Sequence, residues 1–144
     1  MAAFAAGNRF ICAVTAGGLK CWGDNDFGQL GDGTTTDRST PVDVVGLTSG
    51  VAVVSTGSFH ACAVTTAGGL KCWGDNEFGQ LGDATTVDRT TPVDVPGLAS
   101  GVAAVAVGDD HTCGLISAGG LKCWGTTISV RWGTDRRSAF APRR

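Results

Sequence analysis

Eight residues, Ala-Gly-Gly-Leu-Lys-Cys-Trp-Gly, occur at 16–23 and return unchanged at 67–74 and 118–125, so the chain is spaced at a fixed interval of 51 residues. A period of this length describes stacked or radially arranged supersecondary units, each burying its apolar face against a neighbour. The 144 residues would suit one ordinary domain. The repeat instead divides them into a first unit at 1–50, expected to be truncated at its start, a complete second unit at 51–101, a truncated third at 102–125, and a tail at 126–144 outside the pattern. Residues 24–50 and 75–101 differ at only six of 27 positions, which fixes the register of the two copies.

Within a unit the letters alternate at strand length. Residues 1–6, 51–56 and 102–107 each run into a glycine, at Gly7, Gly57 and Gly108. RFICAV, FHACAV and DHTCGL follow, and each closes on a small polar turn before GLKCW, as in a β-hairpin with a loop of four or five residues. The FGQLG segment supplies a compact loop with one inward leucine. TPVDV then reads as a fourth strand beginning at its proline, where a missing backbone donor is tolerated. Twenty-three glycines, no tyrosine and an abundance of Val and Thr suit short strands and tight turns. The class is all-β, and four antiparallel strands per unit of about fifty residues is the sequence form of a propeller blade. No apolar run approaches the roughly 18 residues of a membrane span, so no membrane partner is expected.

The order His-x-Cys-Ala-Val, Gly-Leu-Lys-Cys-Trp-Gly, Asp-Asn-x-Phe-Gly-Gln-Leu-Gly and Pro-Val, spread over residues 1–125, resembles the regulator of chromosome condensation repeat in the cysteine-bearing form common in bacterial proteins. The resemblance implies a seven-bladed ring, of which this chain holds fewer than three blades. It is therefore expected to be a fragment of a larger protein. Such an arc leaves two end faces and open strand edges, which self-association would bury. Met1 falls where Val51 and Val102 fall, inside a strand pattern, so residues 1–6 are expected to be a strand rather than a signal peptide.

The six cysteines come one pair per unit. With Val14 opposite Leu19, Val64 opposite Leu70 and Leu115 opposite Leu121, hairpin pairing sets Cys12 against Cys21, Cys62 against Cys72, and Cys113 against Cys123. Opposed residues at a non-hydrogen-bonded site lie ~5 Å apart in Cα terms, within reach of a disulfide. Three staples would suit an extracellular, periplasmic or cell-surface parent, with a cytoplasmic one as the alternative. The competing readings are six buried thiols or zinc. Eight or nine intervening residues lack the close Cys-x-x-Cys spacing that zinc sites favour.

No constellation points to catalysis, a cofactor or a metal. His60 and His111 are equivalent, but the first unit has Phe10 there, so a structural bond to a neighbouring backbone carbonyl is expected. Asp24-Asn25-Asp26 opens like a calcium loop but lacks its later ligands, and it repeats from Asp75, which suits a turn better. Trp22, Trp73 and Trp124 are assigned to packing between blades rather than to a ligand. No G-x-S-x-G elbow or phosphate loop occurs.

Function is accordingly read as a non-catalytic scaffold for protein–protein interaction. Asp24, Asp26, Phe27, Asp75, Glu77 and Phe78 are the expected partner-binding rim. The alternative, implied by the same resemblance, is guanine-nucleotide exchange on a small GTPase, which would call for a loop departing from the repeat. Residues 1–125 carry six Lys/Arg against twelve Asp/Glu, which disfavours a nucleic-acid partner.

Residues 126–144 carry five arginines against Asp135. A basic nucleic-acid tail and an ordinary terminus are two readings. A third accounts for the letters: the string GAC AAC CAT TTC GGT CAG ATG GGG GAC GGA encodes Asp-Asn-His-Phe-Gly-Gln-Met-Gly-Asp-Gly. Without its first G it reads Thr126 to Thr134 and the start of the Asp135 codon. That template matches the repeat at eight of ten positions. Restoring one base after the Gly125 codon is expected to regenerate an FGQ-type repeat in the nucleotide sequence, and its failure to do so would return the basic tail to consideration.

Overall fold

The computed structural model describes residues 3–126, and the tail readings lie outside them. Eleven strands form three antiparallel meanders. The first sheet contains β1 (Ala3–Ala6), β2 (Phe10–Thr15), β3 (Gly18–Gly23) and β4 (Arg38–Asp43). The second contains β5 (Val51–Thr56), β6 (His60–Thr65), β7 (Leu70–Gly74) and β8 (Arg89–Asp94). The third contains β9 (Val102–Val107), β10 (His111–Ile116) and β11 (Leu121–Gly125). These are blades of a partial β-propeller, and no helix occurs among the described residues.

The hairpin registers are those expected from the sequence: Cys12 faces Cys21, Cys62 faces Cys72 and Cys113 faces Cys123. Their Cα atoms lie 4.1, 4.0 and 4.0 Å apart, and each pair is joined through sulfur. The first loop is tighter than expected. Thr15 pairs with Gly18, leaving only Ala16 and Gly17 in the turn, with φ of 51° and 82°. Two consecutive positive φ angles define the type I′ turn, whose twist matches that of the flanking strands.

The fourth strand begins earlier than its proline. β4 and β8 start at Arg38 and Arg89, so Pro41 and Pro92 sit inside them. Both are outer edge strands, and the register slips between Cys21 and Gly23 and between Cys72 and Gly74. An edge strand with a bulge can lose one backbone donor without breaking a ladder on its far side.

Side chains alternate between the two faces of each sheet, and the faces interlock. Phe10, Cys12, Val14, Leu19 and Cys21, with Leu30, Val44 and Leu47, bury against Ala61, Ala63 and Trp73 of the next sheet. Cys62, Val64, Leu70 and Cys72, with Leu81, Val95 and Leu98, bury against Trp124 of the third sheet. Each of these two tryptophans enters the FGQLG loop of the preceding blade. Trp73 Nε1 donates to the Gln29 carbonyl at 2.9 Å, and Trp124 Nε1 donates to the Gln80 carbonyl at 2.9 Å. The glycines of that loop make room: a Cβ on Gly31 would lie 2.8 Å from Trp73 Nε1, and one on Gly82 2.5 Å from Trp124 Nε1. At the inner strands the approach is closer still, since a Cβ on Gly57 would lie 2.0 Å from the Gly108 carbonyl.

Trp73 is 0% exposed, whereas Trp22, at the same place in the first blade, is only half-buried. Trp73→Ala is therefore expected to destabilise the chain by about 3–5 kcal/mol, and Trp22→Ala by distinctly less. Chemical denaturation of both variants checks the difference.

Candidate functional site

Antiparallel meanders place the β1–β2 and β3–β4 turns of each blade at one end of the arc, and the β2–β3 turns and inter-blade linkers at the other. Every acidic residue of 3–126 except Asp43 and Asp94 lies in loops of the first end. The turns and linkers of the other end, 16–17, 44–50, 66–69, 95–101 and 117–120, carry no charge. Asp43 and Asp94 are cross-strand partners of Lys20 and Lys71, each at 2.5 Å.

The acidic end is built on a hydrogen-bonded core that both complete loops share. Asn25 is fully buried; its Oδ1 accepts from the Leu30 amide at 3.0 Å, and its Nδ2 donates to the Thr34 and Thr36 carbonyls at 2.9 and 3.0 Å and to Asp32 Oδ1 at 3.2 Å. Asp32 accepts from the Thr34 amide and hydroxyl and, through Oδ2, from Arg38 Nε at 3.0 Å. Asn76, Asp83, Thr85 and Arg89 repeat the set in the second blade. Burial alone would raise Asp32 and Asp83, but the hydrogen bonds they accept outweigh it and hold both carboxyls below their ordinary value. Asp32, Thr34 and Arg38 were missed as a group by sequence reasoning. The signal was present: Asp-x-Thr and the Asp-Arg pair at 37–38 persist in both copies while six neighbouring positions drift.

The expected rim residues separate. Asp26, Glu77 and Phe78 are exposed. Asp24 lies 3.6 Å from Arg9. Phe27 packs on Phe59 of the next blade at a centroid distance of 4.9 Å. Asp110 stands where Phe59 would be for the following blade, so the equivalent Phe78 is left 46% exposed. Asp75 is 6% exposed and faces inward, accepting from the Glu77 amide at 3.1 Å and from Gln80 Nε2 at 3.3 Å. Burial, and after it the charges of Asp88 and Glu77, raise its carboxyl, with the Glu77 amide opposing them. Asp75 thus shapes the loop and offers no contact surface.

His60 is fully buried, and its partner is not the backbone carbonyl expected from the sequence. Its Nε2 lies 2.9 Å from Thr112 Oγ1 of the third blade, and that hydroxyl donates to the Gln80 carbonyl at 2.7 Å. Because the threonine proton is committed to Gln80, the imidazole donates to Thr112 through Nε2. The carbonyl that receives Trp124 is thereby tied to His60 as well. Burial first, and then the charge of His111, lower His60 to about 4, with a backbone group of His111 offsetting them in part.

Three sulfur-stapled hairpin blades, joined by tryptophans seated in the loop of the blade before, define a propeller of repeat type. The regulator of chromosome condensation (RCC1) repeat matches residues 16–64 and 68–115, and a second form of that repeat matches 2–29 and 51–80. The chain belongs to the RCC1 repeat family. It is 34% identical over 127 residues to the ultraviolet-B receptor UVR8 of Arabidopsis thaliana, covering 85% of this chain and 29% of that protein. It is 37% identical over 109 residues to the human E3 ubiquitin-protein ligase HERC2, covering 74% of this chain and 2% of the relative. The crystal structure of human WBSCR16 overlays with a TM-score of 0.81 at 26% identity, over 98% of this chain and 36% of that one. Yeast RCC1 (Prp20), crystallised with Kap60, overlays at 0.70 and 27% identity, over 85% of this chain and 29% of that one. The chain thus spans less than two-fifths of each of these relatives.

A histidine lowered from 6.5 to about 4 takes up its proton in the unfolded chain first. Its contribution is fully present above pH 6.5 and is lost as the pH falls toward 4, by about 3 kcal/mol in total. Below that window Asp32 and Asp83, held low in the folded state, continue the loss. Unfolding midpoints measured from pH 7.5 to 4 should fall accordingly. His60→Phe, which installs the ring that Phe10 supplies in the first blade, should flatten the slope.

Proposed function

We propose that this chain forms part of a non-catalytic propeller scaffold that presents its acidic loop end to a protein partner. The segregation of carboxylates to one end carries the reading, because a surface with a net excess of one charge, here ten carboxylates against Arg9, Arg38 and Arg89, steers and selects an oppositely charged partner. Asp26, Glu77 and Phe78 are the contacts: two exposed carboxylates on successive loops and one 46% exposed ring, the kind of aromatic anchor that dominates interfaces. Relatives support a protein partner, since one solved neighbour is yeast RCC1 bound to Kap60. Nucleotide exchange is the second-ranked reading. The two complete loops repeat one hydrogen-bond set residue for residue, with no departing segment to deliver exchange chemistry.

The three sulfur-joined pairs support an oxidising compartment for the parent protein, outside the cytoplasm. Protein isolated without reductant should show no free thiols in 3–126 by alkylation and peptide mapping. Reduction should cost about 2–3 kcal/mol for each staple, as expected for loops of this length.

For the interface, the combined change Asp26→Lys, Glu77→Lys and Phe78→Ala should weaken capture of a basic partner by at least about tenfold without moving the unfolding midpoint. Unchanged capture, or capture insensitive to salt, would overturn the acidic-end reading. Catalysed nucleotide release from a small GTPase would favour the exchange reading instead.

A further inference from the structure

The two sockets that receive an indole differ in the residues beside their carbonyls. At the first, the Gln29 carbonyl takes Trp73, with Ala61 and Phe10 in the same buried cluster. At the second, the Gln80 carbonyl takes both Trp124 and the Thr112 hydroxyl, and that hydroxyl lies 2.9 Å from His60 Nε2. Register makes Thr112 the counterpart of Ala61, since each pairs with the tryptophan of its own blade, and makes His60 the counterpart of Phe10, since they pair with Gly74 and Gly23. One joint between blades is therefore apolar around its indole, and the other contains a titratable ring.

The site of that ring suits its neutral form alone. His60 is 0% exposed, its Nε2 serves Thr112, and its Nδ1 has no hydrogen-bond partner. A proton added at Nδ1 is a charged donor buried without an acceptor, which costs far more than a neutral group in the same place. The charged groups on the surrounding elements do not relieve it. Asp75, just after β7, gives its carboxylate to the Glu77 amide and Gln80 Nε2; Asp109 and Asp110 stand in the β9–β10 turn, where Asp109 accepts from the Ser58 hydroxyl at 2.8 Å; and His111 on β10 opposes a second positive charge. A backbone group of His111 offsets the cost only in part. Gly57 closes the ring in from its own blade, where a Cβ would lie 3.0 Å from His60 Cε1, and Thr112 closes it in from the next. Water reaches the ring when the third blade moves off the second.

We propose that the joint between the second and third blades is proton-operated: acid charges His60 and releases Thr112 and Trp124 from the Gln80 carbonyl, while the joint between the first and second blades stays shut. Opening uncovers Leu81, Val95 and Leu98, which cluster with Trp124 in the closed joint, so acid presents an apolar surface that neutral pH hides. A fall in overall stability would loosen both joints alike, whereas a proton-operated joint loosens one. The device needs no partner and is independent of the acidic end.

The test follows hydrogen exchange of the Trp73 and Trp124 indole N–H groups in the full chain by NMR, from pH 7.5 to 5. Each indole reports the opening of its own joint, and because both are read in one sample, the ratio of their rates cancels the pH dependence of unprotected exchange. A ring that takes up its proton at 6.5 when the joint is open and at about 4 when it is closed should raise the Trp124 rate over the Trp73 rate by about 30-fold across that range. His60→Gln, which keeps an amide donor for Thr112 and does not titrate, should hold the ratio constant. If that variant fails to fold, His60→Phe serves instead, since Phe10 fills the same place at the first socket. A ratio that stays constant in the native chain would overturn the proposal, because the two joints would then be opening together. So would a ratio that changes as much in the His60 variant as in the native chain, since the proton would then be acting elsewhere.

Discussion

The structure depends on one contact made twice, an indole N–H given to a main-chain carbonyl of the preceding blade. A tryptophan buried without a partner for its nitrogen would be costly, and a loop carbonyl buried without a donor equally so. Each satisfies the other at 2.9 Å, beside the apolar side chains and disulfides of the two cores. The hydrogen bond thus fixes the position of a large ring buried between neighbouring blades. At the second interface the same carbonyl also receives Thr112, which in turn receives His60, so an ionisable group is built into an otherwise neutral joint.

That carbonyl is held in place by the loop that carries it. Asn25 and Asn76 substitute for a strand ladder where the backbone leaves β3 and β7, accepting at one end of the amide and donating at the other. The loop can be long and still hold one shape because the side chains of Asn25 and Asp32, and of Asn76 and Asp83, bond its backbone from within, although Gln29 Nε2 is left without a partner. Its outer positions are then free to vary without disturbing the socket, as Asp26 against Glu77 and Thr36 against Val87 illustrate.

Periodicity made the architecture legible, because strand alternation and hairpin register are local properties that survive translation along the chain. The three cysteine pairs followed from that register alone. What was not legible depends on which side chain of another blade stands nearby. Phe27 and Phe78 share their local letters but for Asp26 against Glu77, yet one is packed and the other exposed because Phe59 in one blade gives way to Asp110 in the next. Asp75 looked like a surface acid and is turned inward by Gln80. The partner of His60 lies 52 residues away, at a position held by Ile11 and Ala61 in the other units. The early start of β4 was hidden by a proline rule that is strict for central strands and lenient at a bulged edge.

Placing nearly all the carboxylates at one end and none in the turns of the other gives the arc an electric dipole directed along the propeller axis rather than across it. The lysine–aspartate pairs near the neutral end sum to zero and leave that dipole intact. A charged body approaching to within a Debye length, about 8 Å at physiological salt, would exert a torque on the propeller before touching it. The blades stack around the axis with their acidic ends pointing the same way, so each repeat of this composition adds its own dipole to that of its neighbours. A longer array of such repeats would carry a larger electric dipole of the same orientation for as long as its loops keep their carboxylates.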